Sequence, residues 1–220
     1  MRSLKSIFVA LAAIAALGSA AHGQEKLSDL ERARELLKDG KPDQSLALVD
    51  PIIAQALAKD AKDPKAMCPG AAAAVLQKYM QGNFVVSVEN DWCEAMLVKG
   101  YALNELKRPA EAVQVLETLV GHDPENAQYL VEYAYAVRVN GGLERSLELY
   151  KRAERIASKL QSRESAAHWR AVALRGEGYS YIDLQRWDDA VKAYERSLKF
   201  EPDNDLAKSE LRYIEEHRVH

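Results

Sequence analysis

Cysteine is scarce in this 220-residue chain: Cys68 and Cys93 are the only two, and they lie too far apart for the Cys-x-x-Cys spacing of a reactive dithiol. Metal-ligand spacing is missing as well. Beyond the N-terminal stretch the histidines are His122, His168, His217 and His220, and none has a partner at a His-Glu-x-x-His interval, so neither a metal nor a cofactor is expected. There is no Gly-x-Ser-x-Gly elbow to present a nucleophilic serine. Gly176-Glu177-Gly178 lacks both the preceding strand and the Lys-Ser/Thr that a phosphate loop requires. Basic residues form no cluster, which argues against nucleic acid and against adhesion to anionic membranes. The apolar run Ile7–Leu17 has 11 residues, where a spanning helix needs about 20. No catalytic constellation is left, and the chain is not expected to be an enzyme.

That short run has a different reading. Arg2 and Lys5 precede it, and Ala21-His22-Gly23 follows with small residues at the two positions a signal peptidase reads. Residues 1–23 are therefore expected to be a cleaved signal peptide, with Gln24 opening the mature chain. An uncleaved anchor is the alternative. The alanine-rich run is of bacterial kind and points to the periplasm. The cleavage point carries no cysteine, so a lipid-modified N-terminus is not indicated. With 30 Lys+Arg against 33 Asp+Glu, loss of Arg2 and Lys5 takes the net charge to about −5. The remaining residues suffice for one compact domain.

Small residues recur at fixed offsets. From Gly100, Ala112 lies 12 residues on, Leu116 lies 16 on and Pro124 lies 24 on. Gly178 repeats the offsets with Ala190, Tyr194 and Pro202, and Ala134 with Ser146, Tyr150 and Ser158. Gly100 and Ala134 are 34 apart; Ala134 and Gly178 are 44 apart, which leaves about 10 inserted residues near Gln161–Arg170. Glycine, alanine or serine at the first two markers lets two helix backbones approach, and Leu116, Tyr150 or Tyr194 fills the space beside the crossing. Pro124 and Pro202 stop the second helix of a pair.

A period of 34 residues with this punctuation resembles the tetratricopeptide repeat family. The resemblance covers residues 93–126, 127–160 and 171–204. It implies an all-α, right-handed solenoid of helix-turn-helix units. Ala33, Ser45, Val49 and Leu57 keep the offsets around a Gly40-Lys41-Pro42 turn, so Leu27–Lys59, within segment 24–60, reads as a divergent first repeat. Segment 61–92 holds an inserted helix over Pro69–Met80 and an apolar run, Phe84–Val88, and Asn90 or Asp91 then caps the next helix. In segment 205–220 a capping helix from Asn204 or Asp205 to about His217 is expected, with Leu206, Ala207, Leu211 and Ile214 on one face to close the stack.

In this family the first helices line a concave groove, and the residue after the first marker points into it. Here it is Tyr101, Tyr135 and Tyr179. Tyrosine suits recognition, giving large apolar area at low entropy cost. Asn104, Arg138 and Arg175 occupy further groove positions, beside Leu97, Val131, Glu105, Val139, Ile182 and Asp183. Relatives that clamp a C-terminal carboxylate use asparagine and lysine where this chain has tyrosine and Leu97 or Val131. Two alternatives stay open: the tyrosines pack between neighbouring first helices, and the arginines pair with Glu132, Glu177 or another helix neighbour. Elsewhere Glu148 and Arg152 suit i,i+4 pairing.

The resemblance implies a periplasmic interaction scaffold holding a protein or peptide in the groove. Alternatives are a thiol–disulfide protein using Cys68 and Cys93, or a glycan- or small-molecule-binding part of an envelope secretion machinery. Export favours a structural disulfide over two buried thiols or a redox pair, and closing such a loop stabilises by about 3 kcal/mol. Alkylation of the unreduced, denatured protein is expected to leave its intact mass unchanged; two adducts would remove the disulfide.

Overall fold

The computed structural model describes residues 28–60 and 91–218. The expected signal peptide, Cys68, the Pro69–Met80 helix, the Phe84–Val88 run and His220 lie outside the described residues. Within them the structure is nine helices and their connections: α1 (Asp29–Lys38), α2 (Pro42–Asp60), α3 (Asp91–Glu105), α4 (Pro109–His122), α5 (Ala127–Val139), α6 (Leu143–Ala157), α7 (Arg163–Asp183), α8 (Trp187–Leu198) and α9 (Asp205–His217). This is the all-α solenoid the repeat pattern implies. No helix among the described residues is long and apolar enough to cross a membrane.

Successive helices pair as antiparallel hairpins, and one turn geometry makes all four. Gly40, Lys107, Gly141 and Gln185 each lie seven residues after a first marker, and each has φ between 58° and 90°. At each turn the next N–H reaches back to the carbonyl five residues earlier: Lys41 to Leu36, Arg108 to Leu103, Gly142 to Val137 and Arg186 to Tyr181, at 2.8–2.9 Å. The last-turn carbonyls are thereby satisfied and the chain is aimed back along its own helix. Glycine takes this conformation without strain, whereas Lys107 and Gln185 hold it against a steric cost.

Helix starts divide into two kinds. The first helices α1, α5 and α7, and the capping helix α9, are opened by Ser28, Asn126, Ser162 and Asn204, whose side-chain oxygens accept from backbone N–H groups of the first turn. Ser28 and Glu31 complete a reciprocal capping box. The second helices α4, α6 and α8 have no side-chain cap, because the preceding turn already fixes their entry.

Inside each hairpin the small residues meet. Ser45 Oγ donates to the Ala33 carbonyl and Ser146 Oγ to the Ala134 carbonyl, both at 2.8 Å and fully buried. A Cβ on Gly100 would lie 2.5 Å from Leu116, and one on Gly178 would lie 2.6 Å from the Tyr194 ring. Ala112 and Ala190 are likewise buried without remainder. The apolar core runs from Leu30 to Ala173 and continues in a second cluster around Leu147, Tyr181, Tyr194 and Ile214.

Two expectations need correction, and the insertion takes a definite form. From Arg163 to Arg170 the inserted residues are helical and lengthen α7, so that helix starts well before Ala171. The extension is fastened by Arg170, which pairs with Glu154 at 2.9 Å and lies 4.3 Å from the Phe200 ring centroid. Leu206 is exposed, not buried with Ala207 and Ile214, because α9 packs chiefly on α8 and leaves that edge uncovered. Arg152 does not pair with Glu148; it donates to the Pro124 carbonyl at 2.6 Å and ties α6 to the preceding turn.

Gly178→Leu is expected to destabilise the protein by at least about 1–3 kcal/mol through overpacking against Tyr194. Gly121→Leu, where a Cβ meets nothing within 4 Å, serves as the control and is expected to leave the melting temperature nearly unchanged. Equal effects of the two substitutions would show that the crossing is not tight.

Candidate binding groove

First helices touch their counterparts: α1 packs on α3, α3 on α5 and α5 on α7. The second helices come into no comparable contact with one another. A stack that is close on one side and splayed on the other curves toward the close side, so the first-helix face is the concave one. Tyr101, Tyr135, Tyr179, Asn104, Arg138 and Arg175 all belong to α3, α5 and α7.

The three tyrosines do not share one environment. The Tyr101 hydroxyl reaches the Glu132 carboxyl of α5, with Gln128 beside it, and burial holds its ionisation well above the usual phenol range. Tyr179 donates to Glu210 Oε1 of α9 at 3.2 Å, and its ring meets Tyr194 edge-on at 5.8 Å. Each therefore faces a glutamate 31 residues further along, on the next first helix or the capping helix that takes its place. Those two tyrosines do pack between neighbouring helices. Tyr135 differs: it is 37% exposed, and its hydroxyl makes no hydrogen bond among the described residues. With the insertion counted, its glutamate position is occupied by Gly176.

Gly176 is the residue that sequence reasoning passed over. A Cβ there would collide with the ring of Tyr150, which rises from α6 into the space a side chain would fill. Tyr150 is buried, and its hydroxyl lies against the Arg138 guanidinium. Its signal was available: glycine stood where the register repeats glutamate.

Both groove arginines are engaged, by partners other than Glu132 or Glu177. Arg138 Nη1 donates to Asp183 Oδ2 at 2.7 Å, and its guanidinium lies 5.6 Å from the Tyr135 ring centroid and 5.3 Å from that of Tyr179. Arg175 Nη1 donates to Glu201 Oε2 at 2.5 Å, and His168 Nδ1 lies 2.9 Å from the other oxygen of the same carboxylate. Arg34 of α1 pairs with Glu94 of α3. Asn104 is buried, with neither amide atom hydrogen-bonded among the described residues. Leu97 and Val131 are also buried, while Val139, one turn beyond Tyr135, is 42% exposed.

Other candidates fall outside the groove. Cys93 is fully buried on α3, and the other half of its expected disulfide lies outside the described residues. The His122 ring packs edge-on against Trp92 at 4.8 Å, and His217 stacks on Tyr213 at 4.0 Å. No cluster of three metal-ligating side chains occurs among the described residues.

Two carboxyls are displaced by burial. Glu132, beside Tyr101, is pushed up from 4.5 to about 7, the hydrogen bond with Tyr101 opposing the shift. Glu177 is pushed up to about 7 as well, although Arg196 at 4.0 Å favours its charged form.

Two segments match family models, both described as Tetratricopeptide repeat: residues 171–204 and residues 97–160. Solved structures share the architecture. The crystal structure of MamA is 15% identical with a TM-score of 0.55, over 84% of this chain and 82% of that one. The nearly identical TPR-like repeats of a Podosopora anserina kinesin-light-chain-type protein are 16% identical with a TM-score of 0.54, over 87% of this chain and 96% of that one. At these identities the likeness speaks for the fold. No curated protein matches the sequence.

A carboxyl whose folded pKa is raised binds its proton more tightly in the fold, so its contribution to stability is lost as pH rises from about 4.5 to about 7. Glu132→Gln keeps the shape and removes the charge. It is expected to stabilise the protein at pH 8 relative to pH 5 by on the order of 1–2 kcal/mol, read from denaturation midpoints at the two pH values. An equal effect at both would place Glu132 in water.

Proposed function

The chain belongs to the tetratricopeptide repeat family, and from that premise we propose that it is a periplasmic scaffold whose concave first-helix face receives an extended segment or helix of a partner protein. The observation that carries this reading is the exposure of Tyr135 and Val139 on α5, at the middle of a face whose other tyrosines and whose arginines are engaged by neighbouring side chains. A tyrosine held on a rigid helix, with ring area and an unspent hydroxyl, offers an anchor that loses little entropy when covered. Arg138, whose guanidinium lies over the Tyr135 ring, is the polar group that would fix the position of the bound chain; Asn104, expected to share that role, is buried with both amide atoms away from the surface. The leader pattern at Arg2, Lys5 and Ile7–Leu17 supports export, and a disulfide between Cys68 and Cys93 would belong with that location.

The test is affinity capture from envelope extract, using mature protein recovered from the periplasmic fraction and beginning at Gln24. Tyr135→Ala is expected to lower retention of the captured protein about tenfold or more, with the melting temperature held. The triple substitution at Tyr101, Tyr135 and Tyr179 removes the whole column and serves as the null bait. Unchanged retention by Tyr135→Ala together with a large fall in melting temperature would make the residue structural and end the groove reading. Polysaccharide retained in place of protein would shift the function to the glycan alternative.

A further inference from the structure

Neighbouring first helices are joined across the groove by a repeated rung. A tyrosine on one helix faces a glutamate on the next: Tyr101 lies against Glu132, and Tyr179 donates to Glu210. The rung between α5 and α7 is broken, because Gly176 has no side chain and the Tyr150 ring fills its place from behind. The break leaves Tyr135 37% exposed, its hydroxyl without a hydrogen bond among the described residues, and Val139 stands beside it on the same helix face.

Around this break the only cation close by, Arg138, is already paired, and the unpaired charge is acidic. By register, Glu105, Val139 and Asp183 form a row across α3, α5 and α7, five residues after each first marker. Glu105 is exposed and makes no ion pair among the described residues. Asp183 is partly exposed and already holds Arg138. Every groove arginine is held by a carboxylate: Arg34 by Glu94, Arg138 by Asp183 and Arg175 by Glu201. Glu210 faces the same side with only a phenol for a partner. Lys38, at the far end of the row on α1, is two first helices away from Val139. A carboxylate brought to Tyr135 would meet acidic neighbours and no unengaged guanidinium, whereas a cation would meet Glu105 unopposed.

Resting on the groove reading, we infer that the broken rung is the anchoring subsite, and that it takes an extended partner segment presenting an aliphatic side chain flanked by lysine or arginine. The aliphatic group covers Tyr135 and Val139, a main-chain carbonyl of the segment accepts from the Tyr135 hydroxyl, and the flanking cation pairs with Glu105.

The test uses short peptides with blocked termini, alike except at the centre: Lys-Leu-Lys, Glu-Leu-Glu and Lys-Ser-Lys. Binding to the mature protein is followed by fluorescence anisotropy at low and high salt. The Lys-Leu-Lys peptide is expected to bind at least about tenfold more tightly than either of the others, with the advantage over Glu-Leu-Glu shrinking at high salt. Glu105→Lys is expected to abolish that advantage, and Tyr135→Phe, which keeps the ring, to weaken binding several-fold. Equal or tighter binding of Glu-Leu-Glu, or no binding of any peptide, would overturn the inference. Binding of Lys-Leu-Lys that ignores both substitutions yet falls with Tyr179→Ala would overturn the subsite and leave the groove reading standing. Insensitivity to every groove substitution would remove both.

Discussion

Two helices can lie as close as α7 and α8 do only where one of them presents no side chain at the crossing. Gly178 supplies that opening for the Tyr194 ring, Gly100 supplies it for Leu116, and Ser45 and Ser146 turn the same contact into a hydrogen bond with the facing carbonyl. Everything else in the architecture follows from keeping that approach. Each hairpin is closed by a left-handed residue seven positions after the marker, and the local backbone there sets the chain direction. Close packing inside a hairpin then brings large residues such as Leu116 and Leu130 into a continuous core shared with the next unit.

Curvature comes from asymmetry between the two layers. The first helices press on their neighbours while the second helices stand apart, so the array bends and gathers α3, α5 and α7 into one concave surface. The tyrosine–glutamate rungs belong to that layer, joining helices where they are nearest. A rung is a structural bond wherever its glutamate is present. Where Gly176 interrupts the series, the same tyrosine becomes a surface group. A glycine at the position of a glutamate thus sets one surface tyrosine apart from two packed ones within a single column of residues.

Much of this was legible in the chain itself. Markers at Gly100, Ala134 and Gly178 carried the fold, because a requirement for small residues at fixed intervals survives any choice of surface. The groove positions of Tyr101, Tyr135 and Tyr179 followed from the same register. Their differing roles did not, since those depend on side chains from the next unit and, for Tyr135, on an aromatic ring arriving from α6. The partners of Arg138 and Arg175 were also hidden: Asp183 lies 45 residues away and Glu201 lies in the connection before α9, outside the helix-neighbour spacings that sequence exposes. The insertion near Gln161–Arg170 was visible as a count, but its helical form depended on contacts made by Arg170 with Glu154 and Phe200.

The central claim is that the concave first-helix face, and its middle rung above all, is where a partner lands. Backbone amide chemical shifts of the mature protein, followed while its captured partner is titrated in, test this residue by residue. The account predicts that the largest changes fall at Tyr135, Val139 and the facing residues of α7, with α4, α6 and α8 almost silent. Changes concentrated on those second helices, or on the uncovered edge of α9 at Leu206 and Tyr213, would contradict it.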